Sequence, residues 1–220
     1  VCIMANIAAS LERYCTEVRN LQRSEVAEAS EFFDVTKQVG SSTMAQKRNP
    51  MNSENVCGLA RVVRGFVTPA FESQILWHER DLCNSSTERF TLPHVFVLID
   101  EILKKTAWIY SGLEIHRDRM LENIESSKGL VMAEPLMMKL TEKGIGRQDA
   151  HEIIRQSAMI AEDTGAHLRD VLLQREDLKG VLTPEEIIAT MDAANYVGGS
   201  REIVDKMVAA AEDVVGRKVE

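Results

Sequence analysis

An all-α fold, a bundle of long helices followed by a compact helical domain, is predicted by three observations. Apolar residues recur at alternating steps of three and four through the first half of the chain, which is the seam of helices packed at a shallow angle. No strand-type alternation competes with that seam, and aromatic residues are only 5% of the chain while methionines number ten, a mixture that suits helix on helix. Beyond Leu113 the texture changes to short amphipathic segments separated by Gly, Pro and capping residues, which places a domain boundary near residue 114 and gives domains 1–113 and 114–220.

The elements follow in order. The first seam runs Met4, Ile7, Leu11, Tyr14, Val18, Leu21 and predicts one long helix. The acidic stretch Glu25 to Asp34 then leads into the polar run Gly40-Ser41-Ser42-Thr43-Met44-Ala45-Gln46-Lys47-Arg48-Asn49-Pro50. Glycine and hydroxyl residues favour turns over helix, so residues about 36–50 are expected to form a loop, with about 38–49 mobile without ligand, and Pro50 reads as the first position of the next helix. The second seam is Val56, Leu59, Val63, Phe66, Ala70 and Trp77, with Ser53 as a polar start and Pro69 as an expected kink. A polar break at Arg80 to Ser86 separates it from a third helix carrying Val95, Leu98, Ile102 and Ile109, kinked at Pro93 and fading near Gly112. In the second half, helices are expected near 117–124, 130–142, 148–164, 166–174, 185–192 and 200–215. The most explicit start among them is Thr183-Pro184-Glu185-Glu186, which combines a cap, a proline at the first position and a capping-box glutamate.

Composition bounds the function. The 220 residues are ample for a buried core, and a formal net charge of −8 argues against nucleic-acid binding, so any anion must be held by a local cluster of cations. The four cysteines Cys2, Cys15, Cys57 and Cys83 lack metal-type spacing and read as unpaired thiols of a reducing cytosol. No run is long and apolar enough to span a membrane. No His-x-x-x-His pattern is present, and neither a metal nor a cofactor is expected. Val1 already lies within a helical pattern, so the chain is expected to begin partway along a helix of a longer protein.

By composition alone the run from Gly40 to Pro50 is either a solvated interhelical loop or a device that brings a hydroxyl and a cation to an anionic ligand. The run resembles the signature of the fumarase/aspartase superfamily, Gly-Ser-Ser-x-Met-Pro-x-Lys-x-Asn, with Ala45 in place of the proline. A second cluster, Trp77 through Arg89, places Arg80 and Arg89 on either side of Ser85 and Ser86, donors matched to a phosphate. Glu79, Asp81 and Glu88 could instead pair those arginines internally. This cluster, the continuation Ser53-Glu54-Asn55, and Ala194-Asn195-Tyr196-Val197-Gly198 in the tail are similar to the purine-nucleotide branch of the superfamily, the adenylosuccinate lyases.

The resemblance implies an anti β-elimination that expels a purine amine from a succinyl group, leaving fumarate and AMP. It implies that Ser41 is the base, with Ser42 as a rival that the sequence alone does not separate. Lys47 and Asn49 would hold the succinyl carboxylates, Glu54 would be a site carboxylate, and Ser42 and Met44 would contact substrate. Arg80, Ser85 and Arg89 would grip the nucleotide phosphate. A homotetramer with shared active sites is implied as well. None of His78, His94, His116, His151 and His167 lies in a motif that supplies the acid, so the 220 residues alone are expected to be inactive. Two rivals remain: another lyase of the superfamily, acting on argininosuccinate or cyclising carboxymuconate, and a non-catalytic helical oligomerisation module. Replacing proline by alanine at position 45 removes a restraint of roughly 0.4–1 kcal/mol on the unfolded chain.

Overall fold

The computed structural model describes residues 1–33, 44 and 47–218. Their regular structure is almost wholly helical, and they fall into two units, Val1–Met120 and Leu121–Glu220.

In the first unit three helices bury a common seam. Helix α1 (Cys2–Leu21), α2 (Met51–Gly65) and α4 (Cys83–Ser111) are the long elements, and the short α3 (Val67–Glu72) lies between the last two. The core joins Ala8, Cys15 and Val18 of α1 with Val56, Cys57, Ala60 and Val63 of α2 and Val95, Ile99, Ile102 and Ile109 of α4. Burial on α1 is centred on its small residues, and Tyr14, expected on the seam, is 54% exposed. The reason is steric: alanine and cysteine let α1 and α2 approach closely, while a tyrosine ring at the contact would hold them apart. Tyr14 instead meets Tyr110 edge to face, and the Tyr110 hydroxyl donates to the Tyr14 carbonyl at 3.1 Å. Burial pushes the Cys15 thiol up, so it behaves as a small apolar residue.

Pro69 breaks the second helix rather than kinking it. Proline has no N–H to offer the Gly65 carbonyl four residues back, and its ring crowds that oxygen. Helix α2 therefore stops at Gly65, and α3 starts afresh with the Ala70 amide on the Phe66 carbonyl at 3.2 Å. The seam does not reach Trp77, which is 77% exposed. The third helix starts earlier than expected, with Leu82 as its N-cap; just before it the Asp81 carboxylate accepts from the Cys83 amide, the first of the helix, at 2.8 Å and from the Trp77 amide at 3.1 Å. Those two backbone donors hold the Asp81 carboxyl below its usual range. Pro93 lies inside α4 without ending it. Two residue pairs form the one sheet among the described residues, β1 (Ala29–Ser30) antiparallel to β2 (Glu114–Ile115).

The second unit packs α6 (Ala133–Glu142), α7 (Arg147–Thr164), α8 (Leu168–Leu173) and α9 (Pro184–Thr190) around Leu136, Leu140, Ile154, Leu168, Leu172 and Ile187. Helix α5 (Arg117–Ser126) carries the boundary between the units, and α10 (Ser200–Val215) closes the described chain. Gly129 has φ of +80°, and a Cβ there would lie 2.5 Å from His167 Cε1, so only glycine fits this turn. The expected capping box is present: the Thr183 hydroxyl accepts from the Glu186 amide at 3.2 Å, and the Glu186 carboxylate accepts from the Thr183 amide at 2.9 Å.

Thr183→Ala should lower the stability of this unit by about 1 kcal/mol in urea titration; no change would mean that the cap is redundant. The same box carries a pH dependence. Lys143 and the Thr183 amide hold the Glu186 carboxyl below its ordinary value. Its contribution is therefore fully present above that value and fades as pH falls through the lower folded value.

Candidate functional site

Ser41 and Ser42, the two candidate bases, lie outside the described residues. The residues flanking them are described. Pro50 is the N-cap of α2 rather than its first helical residue, and it makes no side-chain capping bond. Ser53, expected as a polar start, is instead buried in the first turn with its amide donating to Glu31 at 2.6 Å.

Asn49 and Glu54 come together at a polar cleft of about 430 Å³ between the end of α1 and the start of α2. Its walls include Arg19 and Asn20 from the last turn of α1, Gln22 and Arg23 just beyond it, and Arg48, Asn49, Pro50 and Glu54 from the chain entering and starting α2. Lys47 is exposed beside it, with its amide on the Met44 carbonyl at 3.1 Å. Arg48 lies over the Phe33 ring at 5.4 Å. Met44 is 48% exposed. Three arginines and two asparagines around a single cleft, in a chain of net charge −8, form the local cationic cluster that an anion requires. Guanidinium forks match carboxylates in two-point geometry.

Arg19 and Arg23 were not singled out from sequence. Their place in the last turn and just beyond the end of α1 was the available signal, since a helix end must face the loop that follows.

Arg80, Ser85 and Arg89 are not part of this lining. Ser85 is half-buried in the first turn of α4, and Arg89 lies one turn further along the same face. Asp81 is committed to the Cys83 and Trp77 amides, and among the described residues neither Arg80 nor Arg89 makes an ion pair or side-chain hydrogen bond. The internal pairing with Glu79, Asp81 and Glu88 weighed from sequence does not form there. His78 is exposed and left-handed, with φ of +50°, and no histidine lines the cleft. Among the described residues no group of three or more metal-ligating side chains assembles, and no described helix is long and apolar enough to cross a membrane.

Residues 1–65 match the family profile described as "Lyase", and residues 129–207 match that described as "Adenylosuccinate lyase C-terminus". Among solved structures, a 3-carboxy-cis,cis-muconate lactonizing enzyme from Pseudomonas putida superposes with a TM-score of 0.83 at 29% identity, over 93% of this chain and 44% of that one. A fumarate lyase from Mesorhizobium sp. BNC1 gives 0.80 at 27% identity, over 92% and 44%. The chain shares the all-α fold of these members of the fumarase/aspartase superfamily.

Within that class it is homologous to adenylosuccinate lyases along nearly its whole length. Identity is 45% to the enzyme of Methanothermobacter thermautotrophicus, over 94% of this chain and 46% of that protein. It is 48% to the enzyme of Pyrococcus abyssi, over 97% and 47%. The chain thus spans about half the length of the curated relatives it matches.

Proposed function

We propose that this chain forms one wall of the active site of a carbon–nitrogen lyase that cleaves adenylosuccinate, and the related succinylated aminoimidazole carboxamide ribotide, in purine nucleotide synthesis. The observation that carries the reading is the cleft at the start of α2, where Asn49 and Glu54 meet Arg19, Arg23 and Arg48. Its charge and size suit a succinyl dicarboxylate.

In this reading a base takes the proton from the carbon next to one succinyl carboxylate. The electron pair moves first onto that carboxylate, as an aci-carboxylate, and then returns to form the double bond of fumarate as the carbon–nitrogen bond breaks. The purine amine takes a proton as it leaves. Ser41 is the proposed base; a serine serves only where neighbouring donors and positive charge favour its alkoxide. Lys47 and Asn49 hold the dicarboxylate, and the cationic cluster stabilises its developing second charge. Glu54, Ser42 and Met44 complete this wall, with no cofactor. The acid for the leaving nitrogen is assigned to a segment outside these 220 residues.

Self-association belongs to the same proposal, as a cytoplasmic homotetramer. It is supported by the outer face of α4, where Phe96, Val97, Leu103 and Trp108 are 57%, 68%, 43% and 45% exposed, more apolar surface than one helix of a monomer ordinarily leaves in water. A well-folded monomer in light scattering at micromolar concentration would contradict it.

The phosphate grip gives the specific test. Arg89→Ala and Arg80→Ala, in the full-length protein, should each raise KM for adenylosuccinate about tenfold or more, since each removes a charge-assisted contact. KM for the 5′-dephosphorylated substrate should not change. Equal losses on both substrates would remove the phosphate from the assignment.

A further inference from the structure

Two residues outside every motif join the pieces of the cleft. The Glu31 carboxylate, 6% exposed, accepts from the Ser53 amide at 2.6 Å, the Asn52 amide at 3.3 Å and Asn52 Nδ2 at 3.1 Å. Gln22, the residue that closes α1, uses both ends of its side-chain amide. Its Oε1 accepts from the Glu31 amide at 3.0 Å, and its Nε2 donates to the Arg48 carbonyl at 3.3 Å. The orphan amides at a helix start are usually met by a local Ser, Thr, Asp or Asn. Here Pro50 makes no such bond, and a carboxylate 22 residues upstream takes that role. A buried carboxylate is a costly substitute for a serine, and what it adds is a tie between two distant segments. The arrangement runs from the end of α1 through Gln22 and Glu31 to the first turn of α2, with the Arg48 carbonyl fastened to the same glutamine. Lys47 and Asn49 lie on either side of Arg48, and Glu54 follows Ser53.

We propose that Glu31 and Gln22 are positioning residues for the elimination, setting Lys47, Asn49 and Glu54 against the cleft. Glu31 does not line the cleft; Gln22 does, with its donor and acceptor already engaged. The proposal rests on the lyase reading, and it acts on groups whose placement governs the transition state. Displacement of such groups by about 1 Å costs about a hundredfold in rate.

The test uses Glu31→Gln and Gln22→Met in the full-length protein. Glutamine keeps the volume and one acceptor but turns an NH₂ toward either the two Asn52 donors or the Ser53 amide; methionine keeps the length of Gln22 and removes both of its bonds. Each variant should lose about tenfold to a hundredfold in kcat per folded molecule. Amide exchange should quicken at residues 47–54 and stay unchanged in the middle of α1 and α4. In an Asn49→Ala background the Glu31→Gln loss should shrink to less than about threefold, because part of what it positions is gone.

Three results would overturn the proposal: kcat within twofold of the unsubstituted protein, unchanged exchange at Asn52 and Ser53, or losses that simply multiply with Asn49→Ala. Should Glu31→Gln fail to fold, Gln22→Met carries the same three readouts. Failure of the unsubstituted protein to release fumarate from adenylosuccinate would contradict the lyase reading instead. The exchange at Asn52 and Ser53, which needs no substrate, would then still decide whether the clamp exists.

Discussion

Replacing Ser41 with alanine in the full-length protein should lower kcat for fumarate release by about 10²- to 10⁴-fold, the span associated with losing a general base. KM and the affinity for AMP should stay close to those of the unsubstituted protein, because the hydroxyl acts on the transition state and contributes little to ground-state binding. Ser42→Ala is the internal comparison. A smaller loss there assigns the base to Ser41, and a larger one exchanges the two roles. The prediction is sharp because the rest of the wall would survive the change: Lys47, Asn49 and the three arginines would still bind the dicarboxylate. Unaltered turnover in both variants would mean that neither serine takes the proton.

The largest effect on stability is expected at Leu140. It is fully buried at the centre of the second unit, packed with Leu136, Ile154, Leu168 and Leu172. Leu140→Ala removes the transfer free energy of the isobutyl group and leaves a cavity, a loss of about 2–5 kcal/mol. Ile203→Ala on α10, where the side chain is 62% exposed, should change stability by less than about 0.5 kcal/mol. Chemical denaturation of the 220-residue chain, followed by circular dichroism, compares the two. A loss below about 1 kcal/mol at Leu140 would mean that this core is not close-packed.

The sequence carried the chemistry more legibly than the packing. Lys47, Asn49 and Glu54 stand within eight residues, and it was the resemblance of that stretch to the superfamily signature and its continuation, not spacing alone, that marked them. Arg19 and Arg23 reach the same cleft only because the chain reverses between α1 and α2. For Glu31 and Gln22 no local pattern exists, since a cap supplied from 22 residues away leaves no trace in spacing. The seams announced long helices but not their rotation. Periodicity counted Tyr14 and Trp77 as core, whereas the helices meet on Ala8, Cys15, Cys57 and Ala60, whose small size permits close approach. The pair of two-residue strands was invisible because two residues hold no alternation. In the second unit Thr183 and Pro184 announced their helix correctly, since a capping box is a short-range device that needs no partner from afar.

The most direct measurement of the central claim is product release by the full-length protein offered adenylosuccinate, argininosuccinate and 3-carboxymuconate in turn. Fumarate and AMP appearing together in equal amounts from adenylosuccinate, with no product from the other two, is the expected result. Turnover of either rival substrate with adenylosuccinate untouched, or no turnover of any of the three, would contradict it.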